Sequence, residues 1–467
     1  MGLYIFLIFF FFFFFFWVSL FSLSRSDILA GNLITLSIPT SYEAGFHGRT
    51  VFSKTRDKVP NFRASLGVEA VDGNYVCSLS VLLGDLEVWT SKQFTEFLLR
   101  GSCVAELTRD GVFLLRDSTG RIGWRTATLG ESVERVKLLR TGNLVLTDAR
   151  NQIKWQSFDF PGNVMLWKQR LPVPAQLTWV SANSSLSFSF TIQSDKIALY
   201  LNSASRRYSY WEYQTHKQRN ISYSLLGSTG LKIFDRGQRK MAQILVDRRM
   251  PIRFLALGKE GNLGLYHYSP HRGKFETSFR AVNATCDLPL ACGRYGLCTF
   301  SNTCRCLQFT HRSNGLSNNC DEGLRNIGFC ETEESLRMVE LVGISSVLEG
   351  TPQGENVTKE ECSRLCMKEC WCAAASFSEN GNGGTRRGCF LYELVVGLKQ
   401  VVDRRHQSSF LIKVPDRIVE DKSGISSRTK KWLLASGTVV DIVVILLIFA
   451  GFFWYFVLRK KKRETER

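Results

Sequence analysis

Two long apolar runs frame the chain, and short alternating stretches fill the space between them. The first run, Leu3–Leu23, contains an unbroken phenylalanine block from Phe9 to Phe16, and small Ser22 and Ser24 precede Arg25. This order predicts a secretory signal peptide over residues 1–24. The run is also long enough to be an uncleaved anchor, and either reading exports the chain. The second run, Trp432–Leu458, is followed at once by Arg459, Lys460, Lys461, Lys462 and Arg463. It predicts a single C-terminal transmembrane helix over 432–458, with the basic tail 459–467 held in the cytoplasm. The polar stretch 415–431 ahead of it reads as a stalk. Together these give a single-pass type I plasma-membrane protein with its bulk outside. Asp441 lies within the span, where an ionisable residue either contacts a basic residue of a partner span or is a tolerated polar position.

Between the runs, the pattern is that of short strands. Glu106–Trp124 and Lys137–Trp155 align at an offset of 31 residues, with Leu107/Leu138, Gly111/Gly142, Asp117/Asp148 and Trp124/Trp155 coinciding. Each copy is strand, turn, strand, turn, strand, bounded by Asp-Gly and Thr-Gly-Asn turn signals. The matched tryptophans predict a shared aromatic core. A related stretch, Phe254–Tyr268, carries Gly261-Asn262-Leu263 where the earlier copy has Gly142-Asn143-Leu144. A second domain of the same kind is therefore expected, and little helical periodicity precedes residue 330.

The composition then shifts. Cys286, Cys292, Cys298, Cys304, Cys306 and Cys320 crowd a segment with little to form a core, so crosslinks must hold it. Beyond Cys330, Val357–Cys372 reads as a helix opening at Thr358, where Thr358 and Glu361 fit a capping box. Cys362, Cys366 and Cys370 fall four apart on one face of that helix. Cys372 and Cys389 complete this group, and Cys77 and Cys103 lie upstream. All 14 cysteines sit between the two apolar runs, which implies disulfides in an exported region and no metal site. Four glycosylation sequons share that region, at Asn183, Asn220, Asn283 and Asn356.

The net charge is +18. For an exported chain this excludes nucleic acid as a natural partner. It leaves an acidic polysaccharide, an anionic membrane surface or a merely solvated basic face. Six histidines are scattered without a nucleophile–base signature, so neither an enzyme nor a cofactor is expected.

Several stretches match a known family. Trp155-Gln-Ser-Phe-Asp-Phe-Pro-Gly-Asn-Val-Met-Leu166 resembles the WQSFDxPTDTxL signature of plant bulb-type, mannose-binding-like lectins of the S-domain group, and Gly142–Leu146 is similar to its GNLVL strand. Cys286–Cys298 resembles the opening of that group's EGF-like module, and Cys362–Cys372 its PAN/apple helix. Within the group the chain looks closest to EP1-like glycoproteins and kinase-less PAN-domain proteins. The resemblance implies a mainly β chain with two tandem β-prism domains, each with three small sheets around a pseudo-threefold axis. The implied order is a bulb-type lectin domain over 45–167, a second lectin-like, S-locus-glycoprotein-like domain over 170–282, an EGF-like module over 286–320 and an α+β PAN/apple domain over 330–414. It implies disulfides Cys286–Cys298, Cys292–Cys304, Cys306–Cys320, Cys362–Cys389 and Cys366–Cys372, which leaves Cys330–Cys370 and Cys77–Cys103.

The family's sugar site follows Q-x-D-x-N-x-V-x-Y, whose amides and carboxylate bond vicinal hydroxyls while Val meets the ring face. The motif is eroded here. One copy reads Leu139, Thr141, Asn143, Val145, Thr147, and another Thr108, Asp110, Val112, Leu114, Arg116. The second domain offers Gly258, Glu260, Asn262, Gly264, Tyr266. Ala70, Asp72, Asn74, Val76, Ser78 is a further candidate, although Asp72-Gly73-Asn74 reads equally as a hairpin turn. Each lost hydrogen bond costs about 1 kcal/mol against an affinity that is weak from the start, so conventional mannose binding is not expected. Asn143, Val145, Glu260, Asn262 and Tyr266 remain the candidate carbohydrate residues, and a glycan role through another surface is left open.

The reading that follows is a non-catalytic cell-surface receptor or co-receptor for an extracellular glycan or protein ligand. With a nine-residue tail and no kinase motif, it is expected to signal only through a partner such as a membrane co-receptor or receptor kinase. The alternative is a structural or adhesive cell-wall glycoprotein that binds acidic polysaccharide.

Overall fold

A computed structural model describes residues 27–56, 60–181, 185–204, 206–214, 220–246, 251–307, 320, 335–349, 352–355, 357–378, 388–401 and 408–415. The expected signal peptide, transmembrane span with Asp441, tail, stalk beyond Pro415, Cys330, Asn183 and Asn356 lie outside these residues. Among the described residues, no helix is long and apolar enough to cross a membrane. The chain divides into two compact units, Met1–Ala291 with Val347–Gly350, and Cys292–Ser346 with Thr351–Arg467.

The first unit is built of antiparallel sheets in two sets of three. In the first set, His47–Lys54, Phe62–Val71, Asn74–Leu83 and Leu86–Thr90 form one sheet, with Phe97–Leu98 added beside Asn74–Leu83. Ile122–Arg125, Phe113–Asp117, Cys103–Leu107 and Leu33–Leu36 form another. Ile28–Leu29, Arg135–Leu138, Leu144–Thr147 and Ile153–Gln156 form the third. Alternation along each strand sends Leu66 and Leu79, Phe113 and Leu115, and Leu144 and Leu146 into one common core. Each sheet also gives that core one tryptophan. Trp89, Trp124 and Trp155 meet in a ring of edge-to-face contacts with centroids 5.8–6.2 Å apart.

A second device repeats with the tryptophans. Two residues after each stands a hydroxyl, on Ser91, Thr126 and Ser157. These accept hydrogen bonds from the backbone N–H of Leu79, Phe113 and Leu144, each at 3.0 Å. The hydroxyl satisfies a buried donor that the strand edge would otherwise orphan. The 31-residue repeat is therefore two-thirds of a threefold pattern, whose remaining copy ends at Trp89.

The second set comprises three more four-stranded sheets. One contains Val164–Leu166, Ile252–Leu257, Leu263–Ser269 and Lys274–Arg280. Another contains Arg170–Pro172, Ile221–Gly227, Gly230–Asp235 and Lys240–Leu245. The last contains Ala175–Val180, Ser187–Ile192, Lys196–Asn202 and Arg207–Gln214. The strands shift the expected limits of both sets. Ile28–Leu29 and Leu33–Leu36 already belong to the first, ahead of residue 45. Val164–Leu166 pairs with Phe254–Ala256 and so belongs to the second, although it ends the signature that begins at Trp155.

In the other unit, Leu336–Val342, Ser408–Pro415, Ala374–Ser378, Gly388–Tyr392 and Pro352–Glu355 form a sheet beside the helix Lys359–Lys368. Thr358 and Glu361 make the expected capping box. The helix stops short of Cys372, and Cys370 lies past its end, so only Cys362 and Cys366 share the buried helical face. The stop has a physical cause. The Lys413 ammonium, buried from the neighbouring strand, donates to the carbonyls of Cys366, Met367 and Glu369 at 3.0–3.3 Å. It supplies charge and donors to the negative end of the helix.

The disulfides Cys77–Cys103, Cys292–Cys304, Cys306–Cys320, Cys362–Cys389 and Cys366–Cys372 are present. Cys286, Cys298 and Cys370 are also oxidised. The cysteine-rich segment is held by more than crosslinks: its hairpin Gly296–Cys298 and Cys304–Cys306 joins a sheet with Leu398–Gln400 and Ile344–Ser346.

Candidate carbohydrate site

The sugar-motif positions sit on strands of the first unit and on the turns that join them, and the structure gives several of them internal work. Gly142 adopts φ +85°, and a Cβ there would fall 2.4 Å from the Phe62 ring, so this turn requires glycine. The turn delivers Asn143 inward, where it is 4% exposed. Its Nδ2 donates to Gln156 Oε1 at 2.8 Å, and its Oδ1 accepts from Ser157 Oγ and the Phe158 N–H, both at 3.2 Å. Val145 and Thr147 are buried beside it.

The copy at 108–116 places Arg116 in the tyrosine position, where it pairs with Glu106 at 2.8 Å. At 70–78 the hairpin alternative is the one observed. Asp72 and Gly73 have φ of 45° and 81° and link the paired residues Val71 and Asn74. Because Leu79 and Leu144 make the same hydroxyl contact, the counterpart of Asn143 in this copy is Ser78, four residues beyond the Asn74 of the sequence alignment.

The second set repeats the internal use of asparagine. Asn262, 8% exposed, donates to the Val282 carbonyl at 2.7 Å and accepts from the Val282 N–H at 3.1 Å. Tyr266 is half-buried and stacks on Phe254 with centroids 4.8 Å apart. Its ring also lies over Gly264, where an added Cβ would fall 2.8 Å from it. Burial raises the Tyr266 phenol above its ordinary range, the Glu260 carboxylate adds to this, and a hydrogen bond with Thr277 opposes it. Exposed Glu260 folds back over Gly258. Arg280 stands opposite Gly264 and Thr277 opposite Tyr266 in the sheet. This leaves a carboxylate, a phenol, a guanidinium and a hydroxyl, with the Tyr266 ring lying over Gly264 where the motif has a valine side chain. Such a set can bond hydroxyls but lacks the valine contact the motif relies on.

Sequence reasoning noticed the signature around Trp155 without seeing its work. Gln156 Nε2 donates to Asp159 Oδ1 at 2.8 Å. The Phe160 carbonyl accepts from Trp89 Nε1 at 2.9 Å and Gln93 Nε2 at 2.8 Å. Gln169 accepts from the Leu166 N–H and donates to the Phe158 carbonyl, both at 2.8 Å. The signature is thus the seam that locks the first set of sheets to the strand beginning the second. Elsewhere, Asn220 and Asn283 are exposed. Among the described residues no group of His, Cys, Asp or Glu could hold a metal ion.

Two segments of the chain are similar to bulb-type lectin and S-locus glycoprotein families. Residues 87–185 match the D-mannose binding lectin family model, and residues 228–313 match the S-locus glycoprotein domain model. The resemblance to bulb-type lectin, S-domain proteins therefore extends across both sets of sheets. A PAN domain-containing protein of Arabidopsis thaliana is 26% identical over 59% of this chain and 57% of its own length. A G-type lectin S-receptor-like serine/threonine-protein kinase of the same plant is 25% identical over 75% of this chain and 41% of its own length. Another, from Oryza sativa subsp. indica, is 25% identical over 80% and 50%. The chain thus spans about half the length of these relatives. Similar solved structures include a monomeric mannose-binding lectin from Gastrodia elata, at 18% identity, 28% of this chain, 94% of that chain and TM-score 0.17. The two-domain fetuin-binding lectin of Scilla campanulata follows at 16%, 54%, 100% and 0.21.

Proposed function

We propose that the chain is a non-catalytic, cell-surface lectin-like receptor or co-receptor. It recognises an extracellular glycan or protein ligand and signals through a partner such as a membrane co-receptor or receptor kinase. One observation carries this reading. The lectin scaffold is complete, with its tryptophan ring and three hydroxyl locks, while the inherited sugar positions are largely turned to internal use. A scaffold whose motif asparagines serve internal hydrogen bonds is suited to presenting other surfaces. The matched lectin model and the kinase relatives support recognition outside the cell, and lectin-like domains point to binding without catalysis. A glycan array, with parallel pull-downs against receptor-kinase ectodomains, tests it. Saturable binding to a glycan or one such ectodomain is expected, and binding to neither would overturn it.

The net charge of +18 favours a second reading as an adhesive glycoprotein on acidic polysaccharide. Binding to pectin that falls steeply with added salt would support this second reading, whereas salt-insensitive binding to a protein partner would favour the receptor.

A further inference from the structure

We propose that Phe94 and Phe160 form a pyranose-binding platform, separate from the strands that carry the family's sugar motif. This rests on the lectin-like reading above and names the surface that reads the glycan. Both rings are large, apolar and solvent-facing, at 48% and 40% exposure. They meet edge to face with centroids 5.9 Å apart. Phe160 also lies flat on Trp155, 5.8 Å away at 18°, so the platform is fixed to the tryptophan ring of the core. Its backbone is pinned too, because the Phe160 carbonyl takes hydrogen bonds from Trp89 and Gln93. A surface ordered before binding costs little entropy when a ligand arrives.

The rim has the chemistry of a sugar site. Asp159, exposed and adjacent to Phe160, offers carboxylate oxygens to hydroxyl donors. Its orientation is set by a relay: Asn143 Nδ2 donates to Gln156 Oε1, and Gln156 Nε2 donates to Asp159 Oδ1, each at 2.8 Å. The asparagine of the old motif thereby positions a carboxylate beside the new platform. Gln93, which closes the 3-10 turn Ser91–Gln93 next to Phe94, adds an amide. An aromatic face with carboxylate and amide groups at its edge fits the apolar C–H face and equatorial hydroxyls of a pyranose. Two phenylalanines closely rimmed by polar groups are far smaller than the roughly 800 Å² per partner of a stable protein interface. A protein occupant is therefore the less favoured outcome.

The test is saturation-transfer NMR on the full-length chain with a panel of neutral methyl pyranosides and short oligosaccharides. At least one sugar should receive saturation mainly on its ring C–H protons. Phe94→Ala should weaken that binding tenfold or more, Asp159→Asn should weaken it several-fold, and Phe94→Tyr should restore it. Unchanged thermal unfolding of Phe94→Ala shows that the loss is local. Should that variant prove destabilised, Asp159→Asn and Phe94→Tyr still decide. Sugar binding that survives Phe94→Ala and falls with Glu260→Gln would overturn the platform and leave the lectin reading standing. Loss of a protein partner in Phe94→Ala, with no sugar bound by the wild type, would also overturn it.

Discussion

Trp124 and Trp155 meet edge to face with centroids 5.8 Å apart, and the relationship is the physical content of the 31-residue repeat. Each comes from the last strand of its own sheet, and Trp89 closes the ring from the remaining sheet. Such pairs contribute about 0.5–1.5 kcal/mol each beyond burial. Trp155→Ala removes two of them and the Phe160 stack, and leaves a cavity. It should lower unfolding free energy by about 3–5 kcal/mol in urea titrations, and a loss below about 1 kcal/mol would contradict the shared core.

Asn143 separates the structural account from the sugar-site account. Asn143→Ala leaves the Phe158 N–H without its partner in a buried place. The expected cost is about 1–3 kcal/mol of stability. Pyranoside binding should weaken only several-fold, as in Asp159→Asn, because Asn143 reaches the surface only through Gln156 and Asp159. Complete loss of mannose binding alone would point to the motif site.

Asp117 supplies a pH signature. Its carboxyl is held at about 2, below the ordinary 3.8, chiefly by the hydrogen bond from Thr119 and also by Arg121 and backbone N–H groups, against desolvation. The folded value lies below the unfolded one, so the stability it contributes is complete above 3.8 and is lost as pH falls toward 2. Thermal midpoints measured from pH 6 to 2 should fall less steeply in Asp117→Asn than in the wild type. Parallel curves would show that this carboxylate is not coupled to folding.

Lys413 is the stop signal of the helix Lys359–Lys368. Lys413→Met keeps the volume and orphans the carbonyls of Cys366, Met367 and Glu369. The unit should lose about 2–4 kcal/mol, read as earlier loss of amide-exchange protection in that helix. Unaltered protection would assign the stop to sequence alone.

Legibility followed the strength of local signals. The capping box at Thr358 and the tryptophan spacing were plain because each needs particular residue types at fixed offsets. The copy ending at Trp89 was hidden, since its long hairpin Phe62–Leu83 replaces the short glycine turns at Gly111 and Gly142 of the other copies. Strands of two to four residues, such as Ile28–Leu29 and Val164–Leu166, carry too little alternation to announce a sheet, so the domain limits moved. Lys413 could not be read as a cap because its partners lie more than forty residues away. The motif spacing singled out Asn143 and Asn262, but spacing does not say which way an amide points. Burial turned both inward, and the exposed chemistry of Phe94, Asp159 and Phe160 emerged only where separate strands meet.

The most direct measurement is a glycan array probed with the full-length chain, wild type beside Phe94→Ala. The account predicts saturable binding of the wild type to a defined set of pyranosides, strongly reduced in the variant and not competed by mannose alone. Binding confined to mannose and indifferent to Phe94 would contradict it.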